Sequence, residues 1–237
     1  MDTGIRRTSE DSGSIDHGCS DVARWGEYEA PRLARVTVRT YAELAEEIFA
    51  AQPRLGTVRL VTVDGPSGSG KTTFAGRLIG ALSIRRSVAT VQIEELYQGW
   101  TLDGAWNRLD EHVLEPIAAG WDGGFHPYDW ETGSWSPRWC AVPVSEVLVV
   151  EGCGSAPLAA DRLTSVQVWI EAPAEVAFAR GLARRGVDLP RRLRAWQRDE
   201  AQYFAEQDTR RRADIRADGD PTPPLAFDPE FAFSTLP

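Results

Sequence analysis

Residues 58–73 read Val58-Arg59-Leu60-Val61-Thr62-Val63-Asp64-Gly65-Pro66-Ser67-Gly68-Ser69-Gly70-Lys71-Thr72-Thr73. An apolar run rich in β-branched residues ends at an aspartate, a glycine turn follows, and a helical pattern opens at Lys71. Within it, Gly65 to Thr72 fits G-x-x-x-x-G-K-[ST], the spacing of a phosphate-binding loop. There the glycines let backbone N–H groups close around an anion, the lysine reaches the outer phosphates and the hydroxyl ligates Mg²⁺. Strand, turn and helix N-terminus together make an anion site. The candidate phosphate contacts are therefore Gly65, Ser67, Gly68, Ser69, Gly70, Lys71, Thr72 and Thr73, with Thr72 also a metal ligand. Lys71 is the only lysine among 26 lysines and arginines, although a GC-rich coding sequence produces the same arginine bias.

Outward from the loop, the alternation of strand and helix continues. Residues 71–82 carry Phe74, Leu78 and Leu82 at helical spacing, and residues 88–93, 147–150 and 166–170 are short continuous apolar strands. Upstream, Thr40 caps a helix reaching about residue 51, with Glu43 three positions on and Leu44, Ile48 and Phe49 along one side. This pattern implies a three-layer α/β fold, a parallel sheet with helices on both faces. Ligands of such sheets gather at the carboxyl ends of the strands, which draws Asp64, the Glu94-Glu95 pair and Glu151 toward the loop. Residues 1–30 are polar and lack periodicity, so they are expected to be a disordered extension. Residues 31–237 then form a single domain, with a proline-containing tail from residue 218 running extended along the surface.

Residues 100–140 have a different texture, holding six of the nine tryptophans with Phe125, His126 and Tyr128 among many glycines and prolines. Flat aromatic side chains stack on a ring while staying near water, which makes this the expected acceptor segment. A satellite hydrophobic cluster under a long loop is the competing reading. Seven arginines fall between Arg180 and Arg198 in a chain of net charge −9. On an acidic protein, residues 178–212 suit an arginine-rich lid over phosphates and a following helix better than a nucleic-acid face, although a solvated helix would account for most of these charges. Cys19, Cys140 and Cys153 lack metal spacing and are odd in number. No apolar stretch reaches membrane-spanning length and the first twenty residues lack a signal-like core, so a cytoplasmic protein without a membrane partner is expected.

A phosphate loop is shared by GTPases, transporter ATPases and small-molecule kinases. The guanine-reading Asn-Lys-x-Asp element needs a second lysine, which this chain lacks, and the Leu-Ser-Gly-Gly-Gln signature of transporters is absent. Over residues 58–218 the sequence resembles the uridine kinase-like branch of the phosphate-loop kinases, which includes phosphoribulokinase and pantothenate kinase relatives. The resemblance rests on the loop, on Ile93-Glu94-Glu95-Leu96-Tyr97-Gln98-Gly99-Trp100, on Tyr128-Asp129-Trp130, and on Leu148-Val149-Val150-Glu151-Gly152. It implies transfer of the γ-phosphoryl group of ATP, with Mg²⁺, to a small-molecule hydroxyl, that of a uridine- or cytidine-like nucleoside above all. In that scheme Lys71, Glu94, Arg180 and Arg184 are catalytic, with Glu94 the base, and Glu151 joins Thr72 at the metal. Glu95, Tyr97, Trp100, Tyr128, Asp129 and Trp130 frame the acceptor. Relatives are often oligomeric, so a homo-oligomer is allowed. Two departures stand out: the family's Asp-Asp pair is Glu94-Glu95, and Arg184 is followed by Arg185 where Asp is frequent. They keep open a nucleotide-binding regulator on a kinase frame, or an ATPase acting with a protein partner.

Overall fold

The computed structural model describes residues 37–185, 190–221, 225 and 229–234. The extension at residues 1–30 lies outside them, as do residues 186–189 within the arginine-rich segment. Strand β1 (Thr37–Thr40) leads into helix α1 (Tyr41–Ala50). Thr40 caps that helix through a reciprocal box, its Oγ1 accepting from Glu43 N at 3.1 Å while its own amide donates to Glu43 Oε2 at 2.8 Å. Strand β2 (Arg59–Asp64) runs into the glycine loop and helix α2 (Lys71–Ser83), then β3 (Val88–Gln92) ends in a 3₁₀ turn, Ile93–Leu96. A long helical segment follows as α3 (Ala105–Leu109), a π-turn (Asp110–Leu114) and α4 (Glu115–Ala118). Short strands β4 (Gly123–Phe125), β5 (Tyr128–Asp129), β6 (Ser134–Trp135) and β7 (Cys140–Val142) make two small antiparallel ribbons, β4 with β7 and β5 with β6. The chain then returns through β8 (Val147–Glu151), β9 (Thr164–Glu171), α5 (Ala174–Arg185), α6 (Pro190–Gln207), α7 (Thr209–Arg212), β10 (Ile215–Asp218) and β11 (Glu230–Ser234).

The main sheet has the order β1-β11-β10-β9-β2-β8-β3. Strands β10, β9, β2, β8 and β3 are parallel neighbours, whereas β11 pairs antiparallel with both β10 and β1. The sheet is thus largely parallel, as the expected fold class has it, and the tail, expected to run extended along the surface, supplies an antiparallel strand of it. Its signal is three residues long, Phe231-Ala232-Phe233, and follows a proline-containing stretch, too little for periodicity to register.

Adjacent residues of β2 face opposite layers, as a pleated strand requires. Leu60 joins a core with Leu148, Val150, Trp169 and the helices α3 and α6, while Val61 and Val63 join the core under α1 and α2. In sequence order the chain moves from β2 to β3 on one side and reaches β9 and β10 on the other, so the carboxyl end of β2 is the topological switch point. The glycine loop leaves from that point.

The antiparallel edge is held by aromatic packing. The Phe231 ring lies 5.1 Å from both Tyr41 and Phe74, which are themselves 5.1 Å apart, and all three are buried. Phe231→Ala is expected to lower unfolding free energy by about 3–5 kcal/mol. Chemical denaturation checks this, and a loss below about 1 kcal/mol would mean that β11 is not an integral strand.

Candidate active site

The loop is shaped by close backbone approaches. Gly68 has φ +82°, and a Cβ there would meet Ala177 O at 2.1 Å; a Cβ on Gly219 would lie 1.8 Å from Ser69 O. Two segments beyond the motif, the first turn of α5 and the turn after β10, thus press directly on the loop. Gly70 sits in the left-handed region and gives α2 no side-chain cap, so the first amides of α2 remain available to an anion. Lys71 is buried and donates through Nζ to Gly65 O at 2.9 Å and Pro66 O at 3.0 Å. Its charge is folded over the loop.

Ser67 and Ser69 turn their amides inward. Ser69 N donates to Pro66 O at 3.1 Å. Ser67 N donates to Glu200 Oε2 at 3.0 Å, and Trp196 Nε1 donates to Ser67 Oγ at 2.7 Å. Sequence reasoning missed Glu200 and Trp196, although the signal was present: Leu193, Trp196, Glu200 and Phe204 form one buried stripe of α6, and a carboxylate on such a stripe needs a partner. Burial pushes the Glu200 carboxyl above its ordinary range, against the pull of Lys71 and Ser67.

Asp64 closes the floor. Its Oδ1 accepts from Gly65 N at 2.7 Å and Gly154 N at 2.9 Å, and its Oδ2 from Ala156 N at 2.9 Å. The side chain is fully buried, and desolvation raises its pKa from 3.8 to about 6 despite the three amides. Glu151, at the end of β8, accepts from Thr72 Oγ1 at 3.1 Å. Burial raises its pKa first of all, and Lys71 and Thr72 oppose the rise. A hydroxyl and a carboxylate in contact beside a phosphate loop are hard oxygen donors of the kind Mg²⁺ takes along with phosphates and water. These two residues fit the metal.

A cleft of about 160 Å³ is lined by Gly68, Gly70, Lys71, Thr72, Thr73, Glu94, Arg180 and Arg184. All four side chains expected to be catalytic therefore line one cleft. Arg180 is also engaged elsewhere, donating to Gly219 O at 2.9 Å and pairing with Asp220 at 2.6 Å. Beside it, a cavity of about 300 Å³ opens between Gly70, Thr73, Tyr41 and Phe74 on one side and Asp218, Gly219 and Pro221 on the other. The side chain of Arg185 lies outside the described residues.

The expected acceptor residues are distributed differently. Tyr97 is 1% exposed and its hydroxyl donates to Cys153 O, so it supports the site from within the core. Trp130 packs edge-on against Tyr97, Trp100 and Tyr128 at 6.4, 5.8 and 5.6 Å. Asp129 Oδ1 accepts from Glu131 N and Thr132 N, which holds a turn and lowers the carboxyl's pKa. Glu95 is half-buried, and burial raises its pKa against the pull of Arg138. None of these six lines the cavity of about 560 Å³ in this segment, whose walls include Gln98, Arg108, His112, His126, Trp135 and Trp139. The exposed tryptophans of residues 100–140 were legible as a group, but not which of them face the cavity.

No protein-family model matches the sequence, and no curated protein does either. Among solved structures, the chain is similar to a possible uridine kinase from Bacillus stearothermophilus, with TM-score 0.53 and 18% identity over 74% of this chain and 96% of that one. It is also similar to a protein provisionally named a fructose transport system kinase from Silicibacter sp. TM1040, with TM-score 0.45 and 21% identity over 74% of this chain and 95% of that one. The first likeness shows the fold: this chain has a three-layer α/β fold, a largely parallel sheet flanked by helices, with a phosphate-loop architecture. Among the described residues no helix is long and apolar enough to cross a membrane.

Because native Asp64 holds its proton up to about pH 6 and the unfolded side chain releases it near 3.8, the native state binds more protons across that window. Its contribution to stability therefore falls as pH rises from about 4 to 6, by about 3 kcal/mol. The difference in unfolding free energy between the wild type and Asp64→Asn should slope downward over that window; a flat difference curve would refute the assignment. Gly219→Ala forces a Cβ against Ser69 O and should lower unfolding free energy by about 1–3 kcal/mol, as a strained loop would. Chemical denaturation checks it, and unchanged stability would mean that the contact does not set the loop's shape.

Proposed function

We propose that the protein catalyses ATP-dependent phosphotransfer to a hydroxyl of a small molecule of nucleoside size. The observation that carries this reading is the shared cleft of Lys71, Thr72, Glu94, Arg180 and Arg184. Phosphoryl transfer needs charge neutralisation, in-line positioning and a group that accepts the hydroxyl proton. Lys71 and the amides that open α2 hold the phosphates. Thr72 and Glu151 hold Mg²⁺, which when bound neutralises phosphate charge. Arg180 and Arg184 cover the transferring group, and the turn after β10 borders the space for the nucleotide base.

Glu94 is the carboxylate we assign as base, since it lines the cleft together with Lys71 and Thr72, whereas Asp64 and Glu200 are not among the residues lining it. Glu95 orients the acceptor. The acceptor enters from the tryptophan segment, whose aromatic walls suit a flat ring. A binding regulator would share all of these features except turnover, so acceptor-dependent ADP release decides between the two.

ADP release with Mg·ATP is measured across nucleosides and small hydroxyl metabolites, with Lys71→Ala as the blank. Release confined to one chemical class supports the reading, and saturable ATP binding with no release from any acceptor sinks it. Glu94→Gln should cut turnover roughly a hundredfold or more with ATP affinity retained. Near-normal turnover in that variant would remove Glu94 as the base.

A further inference from the structure

The cavity of about 560 Å³ beside the 3₁₀ turn is within the size range of small-molecule sites. Its charge is unusual for an acidic chain. Arg108, His112 and His126 line it, and no carboxylate is among its walls.

Arg108 is the telling group. Its Nε donates to Leu96 O at 2.7 Å and its Nη2 to Asp103 O at 3.1 Å, and the guanidinium lies 5.2 Å from the Trp135 ring centroid. These contacts fix the plane of the fork but supply no counter-charge, and among the described residues no carboxylate pairs with it. Seven arginines contrast with it: Arg39, Arg85, Arg86, Arg180, Arg210, Arg211 and Arg212 each bridge an acid. Burial lowers the Arg108 pKa with no opposing influence. A half-buried cation held in one plane and left uncompensated is poised for an anion, which a guanidinium meets with paired hydrogen bonds.

Two further features converge on the same place. His112 follows Arg108 by four residues and lies in the π-turn Asp110–Leu114, a widened helical turn of a kind frequent at functional sites. His126 Nδ1 lies 3.1 Å from Arg138 O, so that nitrogen carries the proton and Nε2 remains as the ring's other polar atom. Trp135 and Trp139 stay partly exposed at 37% and 57% and offer flat faces to a ring.

We propose that this cavity selects a ring-bearing hydroxyl acceptor that also carries an anionic substituent, a carboxylate or a phosphate, with Arg108 as the specificity-determining contact. The inference rests on the reading of this cavity as the acceptor site of a phosphotransferase. It narrows the acceptor from neutral nucleosides to their anionic derivatives.

Three probes share a ribose and a free 5′-hydroxyl: uridine, uridine 3′-monophosphate and 5-carboxyuridine. Calorimetric titration without ATP, at low ionic strength, should find at least one anionic probe binding roughly tenfold to a hundredfold more tightly than uridine. Added salt should narrow the gap. Which anion binds tighter identifies phosphate or carboxylate as the group read. Arg108→Gln should bring both anions to the level of uridine, whereas Arg108→Lys, keeping charge without the fork, should retain part of the preference. Circular dichroism confirms that both variants fold, and if Arg108→Gln does not fold, the partial loss of preference in Arg108→Lys, which keeps the stem and the charge but not the fork, carries the test. Uridine binding as tightly as both anions, a preference that survives Arg108→Gln, or no binding of any probe overturns the inference. ADP release measured in parallel separates the two readings: anionic preference without release from any probe overturns phosphotransfer and leaves the selectivity standing.

Discussion

Three amides converge on one buried carboxylate at the carboxyl end of β2, and the rest of the site is built around that junction. Asp64 receives Gly65, Gly154 and Ala156, so the turn after β2 and the turn after β8 are locked to one another. The lock has a cost, because burying the charge raises the pKa to about 6, which means that part of the burial free energy opposes the ionised form. What it offsets is positional freedom. Glu151 ends β8 and Thr72 opens α2, and their 3.1 Å contact exists because the two strand ends cannot slide past each other. Lys71 is the positive charge that most opposes the burial-driven rise in pKa at Asp64, Glu151 and Glu200 alike. One ammonium therefore serves three buried carboxyls. When an anion draws it off its two carbonyl partners, all three acids lose some of their compensation.

The loop is held from behind as well as from below. Glu200 and Trp196 grip Ser67 from α6, Ala177 of α5 touches Gly68, and Gly219 after β10 touches Ser69. Helices α5 and α6 belong to the arginine-rich segment, so the elements that carry Arg180 and Arg184 also set the loop's shape. A rearrangement of that segment on ligand binding would be felt at Ser67 and Gly68 without any new contact, through rigid packing at separations that a single methyl group would violate. Arg180 adds a second tie through Gly219 and Asp220.

The parts of the fold legible in the sequence were those encoded locally. The capping box of α1, the loop, and the strands β2, β3, β8 and β9 each announce themselves within about ten residues by periodicity or by a fixed motif. Strands β1, β10 and β11 did not, because their stability comes from pairing across the chain, as with Phe231 against Tyr41 and Phe74. The site divides along the same line. Lys71, Thr72, Glu94 and Glu151 follow from strand ends near the loop. Glu200, Gly219 and Arg108 reach their places through helix packing and long-range turns, which no local pattern records. Tyr97 shows the reverse error: a residue next to a strand end can point into the core, where Cys153 O satisfies its hydroxyl.

Charge counting misleads for a related reason. A net charge of −9 with clustered arginines suggests a basic surface segment, yet several of the described arginines are consumed by acids nearby. Arg210 forms a two-point bridge to Glu171 and lowers the pKa of that carboxyl, Arg212 reaches Asp161, and Arg86 reaches Glu146. Bridges of this kind position elements and add little net attraction for a ligand. Density along the chain therefore does not by itself mark a binding arginine. Arg108, in a segment with few arginines, is held in one plane with no acid bridged to it among the described residues, unlike the bridged arginines of α7. The cavity it borders is lined by Leu96 and Gln98, just past the end of β3 at the edge of the sheet, and on the reading proposed above a cation held there favours an anionic acceptor.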